Sequence, residues 1–62
     1  MSEWIDVNDV LPQIMKEVII FDEYSGVGSA NLHYDGEWFA PVSDWKYSKV
    51  THWQPLPEPP KK

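Results

Sequence analysis

The chain has 62 residues, enough for one domain, with ten carboxylates set against five lysines and no arginine for a formal charge of −5. A chain of this size buries roughly 60% of the surface its unfolded form exposes, so its core is marginal and each large apolar side chain counts toward folding. The charge balance argues against direct binding to nucleic-acid backbones, which relies on Lys and Arg; the absence of cysteine removes disulfides, thiolate metal sites and thiol nucleophiles together.

Glu3 and Asp6 surround a Trp4-Ile5 pair where a leader peptide would need a basic start and a long apolar run. No stretch approaches the ~20 apolar residues of a membrane span, so a soluble protein without membrane attachment is expected, and the lack of cysteine fits a reducing cytoplasm best. Trp4 to Val7 reads as a short strand, after which Asn8 or Asp9 caps at most one helical turn that Pro12 cuts short. The segment Glu17 to Glu23, EVIIFDE, is apolar on both alternating sets, Val18 and Ile20 against Ile19 and Phe21, as in a central strand. Gly28 to Tyr34 alternates Ala30, Leu32 and Tyr34 with Ser29, Asn31 and His33, the pattern of a half-buried strand. Asp35-Gly36 then predicts a type I′ hairpin turn into a strand at Glu37 to Ala40, and the Tyr24 to Gly28 connection suits a second hairpin. A meander of three antiparallel strands from Glu17 to Ala40 follows, with Val50 to Gln54 returning as a fourth. Pro41 to Lys49 keeps neither period and is expected to be a loop, with Trp45 and Tyr47 as lids over a sheet face.

The predicted fold class is therefore small and β-rich, a three- or four-stranded antiparallel meander closed by a Pro-rich C-terminal strap. It forms one domain over residues 1–62, with 55–62 as the strap or tail. Four tryptophans dominate the apolar inventory, and each ring buries on the order of 200 Å². The expected core is Trp4, Val18, Ile20, Leu32, Trp38 and Trp53. A core this small also suits a homodimer formed through open sheet edges.

Three stretches, EWIDVNDVLP, YDGEWF and VTHWQPLPEPP, together resemble a family of domains of unknown function found mainly in tailed bacteriophages and prophages. Its members open with Trp-Ile/Val-x-Val and Leu-Pro and close with Thr-His-Trp-x-Pro-Leu-Pro-x-Pro-Pro. The resemblance spans nearly the whole chain, and its closing motif is the more specific part. It implies a small β-rich domain in a phage or prophage accessory gene acting in the host cytoplasm, and it implies no activity. Pro41 to Lys49 carries least of the family pattern, so features peculiar to this chain are expected there.

Each candidate for chemistry has an ordinary structural explanation. His52, beside Thr51, has the chemistry of a general base, yet no Ser-His-Asp arrangement accompanies it, and a lone strand histidine is ordinarily a hydrogen-bonded structural residue. His33, His52 and Asp35 are zinc-type ligands without paired ligand spacing. The acidic pairs Asp22-Glu23 and Asp35/Glu37 fall at strand ends and turns, where solvated charge is the usual reason for them. No enzyme, metal or cofactor is expected. Trp4, Trp38, His52, Trp53, Pro55 and Pro57 are taken as structural members of the motifs. The tail Leu56-Pro57-Glu58-Pro59-Pro60-Lys61-Lys62 fits the spacing of an SH3 ligand; the reading preferred is a strap laid across Trp4, Trp38 or Trp53, since prolines supply apolar surface that is rigid before folding.

The leading functional expectation is a non-enzymatic accessory protein that binds a host or phage protein. Trp45 and Tyr47 are its candidate anchors, and Asp22, Glu23 and Asp44 are its steering acids. Two alternatives remain. One is a small-ligand module that stacks a nucleotide or sugar on exposed Trp, which the absence of Arg and of a Gly-rich phosphate cradle disfavours. The other is an acidic nucleic-acid mimic that inhibits a host enzyme.

Overall fold

The structure, a computed structural model, describes residues 3–43 and 45–57. Among them are six strands and no helix: β1 (Ile5–Asp6), β2 (Glu17–Asp22), β3 (Gly26–Leu32), β4 (Trp38–Phe39), β5 (Lys46–Tyr47) and β6 (Val50–Pro55). They form one antiparallel sheet in the order β1-β6-β2-β3-β4-β5. The expected meander is β2-β3-β4, and the returning C-terminal strand lies between it and the N-terminal strand, with Ile5 opposite Trp53 and Trp53 opposite Ile20. The strand count exceeds the expected three or four because β1 and β5 pair over two residues each, too short a run to display a period. The stretch expected to be a loop thus contains β5, held by Trp38 opposite Tyr47 and by an Ala40 N–H donated to Trp45 O at 2.8 Å.

The turns differ in detail from their sequence signals. Gly36 alone adopts positive φ in the β3–β4 connection (+87°), and its N–H bonds His33 O at 3.0 Å while His33 N–H bonds Glu37 O at 2.8 Å. The loop is accordingly three residues, Tyr34 to Gly36, in place of the expected two-residue type I′ turn. The Asp35 carboxylate accepts the Glu37 N–H at 3.1 Å, a side-chain bond that favours the longer loop. Near the N-terminus, Asp6 does the capping expected of Asn8 or Asp9: its carboxylate accepts the Asn8 N–H at 2.8 Å, and its carbonyl accepts from Asp9 and Val10 in a single turn.

One face of the sheet carries the core: Val18, Ile20, Ala30, Leu32, Trp38 and Trp53, with Ile5, Val7, Tyr47 and Val50 packed against it. The connection from β1 to β2 lies over this face. Trp53 Nε1 donates to Val10 O at 2.8 Å, Pro12 is buried, and Met15 N–H reaches Leu32 O at 2.8 Å. The Tyr47 ring lies close over Gly28, where a Cβ would stand 2.7 Å from the Tyr47 hydroxyl and push that side chain aside.

Trp4, expected in the core, is 42% exposed. The reason is strand parity: neighbours on a strand face opposite sides, and Ile5 takes the inward position against Trp53. Pro55, placed at the start of the strap, instead ends β6 opposite Val18, beyond the reach of β1, where a strand end tolerates a residue without an N–H. Leu56 and Pro57 are exposed; the rest of the expected strap, with Pro59 and Pro60, lies outside the described residues.

Candidate interaction face

The alternation that buries Val18, Ile20 and Asp22 turns Glu17, Ile19 and Phe21 to the other face of β2. Register extends that face across the sheet. Phe21 stands opposite Val27 on β3 and His52 on β6, and His52 stands opposite Asp6 on β1. This row is apolar at its centre, with Phe21 38% and Val27 66% exposed. Trp4 adds its ring beside Phe21, the centroids 6.4 Å apart and the planes at 69°. Trp4, Phe21 and His52 together line an open recess of about 250 Å³. His52 Nδ1 lies 2.8 Å from Thr51 Oγ1, which fixes the ring against the recess wall.

Farther along the same face, Asn31 stands opposite Glu17 and Phe39, and Phe39 opposite Lys46. The His33 and Phe39 rings meet there at a tilt of 44°, with centroids 4.4 Å apart, and Lys46 Nζ pairs with the Glu37 carboxylate at 2.9 Å. Among the described residues, Asn31 Oδ1 is the buried side-chain polar atom without a partner.

The expected anchors fall elsewhere. Trp45 is 58% exposed but adjoins β5, at the edge of the sheet opposite Trp4. Its ring meets that of Tyr47 edge-on, with centroids 6.5 Å apart and planes at 81°. Tyr47 packs against the core and sends its hydroxyl over Gly28, so its ring serves the fold first.

Asp22 is 1% exposed, which removes it from the surface role expected of it. Its Oδ1 accepts the N–H groups of Tyr24 and Ser25 at 2.8 and 2.9 Å, and its Oδ2 accepts that of Lys49 at 2.9 Å. Burial alone would raise its pKa, but the bonds from Lys49, Ser25 and Tyr24 more than offset that and hold it below the ordinary 3.8. Glu23 remains exposed at the turn, and Asp44 lies outside the described residues.

His33, Asp35 and His52 do not converge. Among the described residues no group of three or more His, Cys, Asp or Glu is placed to hold a metal ion. The surface that sequence reasoning missed is Trp4-Phe21-Val27. Its signal was present in the doubly apolar pattern of β2, since a single sheet with one covering layer leaves the second apolar set in solvent.

Over residues 3–61 the chain matches a protein family described as "Protein of unknown function (DUF551)". No curated protein and no solved structure matches it.

Proposed function

We propose that this chain, which belongs to the DUF551 family, is a non-enzymatic phage or prophage accessory protein that works by binding a host or phage protein with the uncovered face of its sheet. The phage setting rests on the opening Trp-Ile-x-Val and Leu-Pro and on the closing Thr-His-Trp-x-Pro-Leu-Pro-x-Pro-Pro motif. The observation that carries the binding reading is the solvent-facing cluster of Trp4, Phe21 and Val27 on the face opposite the core. Large apolar and aromatic side chains gathered on one face, rimmed by polar residues, mark interaction sites in small proteins. Trp45, at the far edge, is a second and separate anchor in this reading, and the acidic surface steers encounter.

Affinity capture from a lysogenic or infected host tests the reading, with wild type, a Trp4→Ala/Phe21→Ala variant and a Trp45→Ala variant compared side by side. A stoichiometric partner retained by wild type and lost from the first variant is the expected outcome. Equal recovery on all three baits removes the aromatic face from the reading. A small-ligand module is the second reading, favoured by the recess beside the exposed Trp4 ring; saturable changes in Trp fluorescence with nucleotides or sugars are its signature.

A further inference from the structure

We infer that the Trp4-Phe21-His52 recess is a seat for a cationic side chain, the ammonium or guanidinium of a lysine or arginine presented by a partner protein. The inference rests on the binding reading above and names the chemistry of the partner it requires.

Three features of the recess point to a cation. The Trp4 and Phe21 planes stand at 69° with centroids 6.4 Å apart, so a group placed in the angle lies against one π face and within reach of the second. Aromatic faces attract cations within about 6 Å of the ring centroid, Trp most strongly. The β1 side of the recess is anionic: Asp6 is the register partner of His52, and Glu3 precedes Trp4. On this face Lys46 stands at the far edge and is neutralised by Glu37 at 2.9 Å, and Lys49, whose carbonyl accepts the Glu23 N–H at 3.1 Å, stands across from Glu23.

Size and openness agree with such an occupant. A recess of about 250 Å³ is below the usual range for an enclosed small-molecule pocket, about 300–1,000 Å³, yet admits the end of one long side chain entering from solvent. The excess of carboxylates in the whole chain, −5 net, draws a basic partner toward it before contact.

The test is a titration of the intact protein, followed by ¹H–¹⁵N correlation spectra at constant ionic strength. Nα-acetyl-arginine amide and Nα-acetyl-lysine amide are compared with the neutral, nearly isosteric Nα-acetyl-norleucine amide. Expected are saturable shifts at the Trp4 indole, Phe21 and His52, with both cations binding about 2- to 5-fold tighter than norleucine amide, the ratio that one exposed cation–π contact confers. Trp4→Leu and Phe21→Leu, which keep apolar bulk and remove the π faces, erase that preference while their spectra stay dispersed. Norleucine amide binding as well as the cations, shifts confined to other residues, or no saturation overturns the inference. The two readings fail separately. A captured partner that high concentrations of arginine amide do not displace leaves the binding reading standing without this one. Saturable arginine binding with no captured partner does the reverse.

Discussion

Asp22 shows how one side chain in a chain this small takes on work that larger domains distribute. Its carboxylate closes the β2–β3 turn through Tyr24 and Ser25 and ties down the approach to β6 through Lys49. Hydrogen bonds to a charged acceptor contribute about 1.5–3 kcal/mol, so Asp22→Asn is expected to cost about 2 kcal/mol: the amide keeps one acceptor oxygen and turns a donor against a donor on the other side. The sign of the pH dependence follows from the lowered pKa. The native state favours the ionised form, so the contribution is complete above the unfolded value near 3.8 and fades as pH falls through the lower native value. Urea unfolding of both proteins from pH 7 down to pH 2 measures this. The gap between wild type and variant should hold constant to about pH 4 and narrow below it; a gap that widens in acid contradicts the clamp. In the sequence, the Asp22-Glu23 pair has the appearance of ordinary surface charge, because nothing local reveals that Lys49, 27 positions away, donates to it.

Among the described connections, the turn before β2 is the one with a non-glycine residue at positive φ. Lys16 N–H reaches Gln13 O at 3.3 Å, and Met15 has φ of 68°, the left-handed region that a type II turn demands at its third residue and that normally belongs to Gly or Asn. Met15 is held there by its N–H bond to Leu32 O while its side chain is 45% exposed, so little packing opposes relief of the strain. Met15→Gly is expected to stabilise the protein by about 0.5–1 kcal/mol, read as a raised urea midpoint with unchanged slope; a lowered midpoint would show that the thioether packs more than its exposure suggests. The β-hairpins were legible because β-branched runs and Asp-Gly or Gly-rich connections announce themselves within a few residues. The placement of β5 was not, since two residues carry no period and its pairing depends on Trp38, nine positions before its partner Tyr47. The type of the Asp35-Gly36 turn also escaped, because the same dipeptide serves both a two-residue loop and a three-residue loop.

At the scale of the molecule, the described residues form a sheet of one layer with one covered face, and this decides which apolar residues hold it together. The sequence displayed the covered set well: Val18, Ile20, Leu32, Trp38 and Trp53 are buried as their alternation predicts. It misplaced Trp4, because the motif that makes Trp4 conspicuous does not state which side of β1 it occupies, and the partner that settles it, Trp53, lies at the other end of the chain. The open face was the least legible part of the candidate site, since Ile19 and Phe21 are written in the same alphabet as the core. Adjacent residues of β2 therefore offer a direct comparison. Ile20 is fully buried between Gly28 and Trp53, and Ile20→Ala is expected to cost about 3–4 kcal/mol, a large part of the roughly 3–9 kcal/mol available to a domain of this length. Phe21→Ala removes a larger side chain from the face in solvent and is expected to cost about 1 kcal/mol, with no change in the dispersion of the spectrum. Equal losses for the two would mean that the second face is covered in solution, as in a homodimer built on it. In that case the midpoint of unfolding would rise with protein concentration, and Phe21→Ala would abolish that dependence.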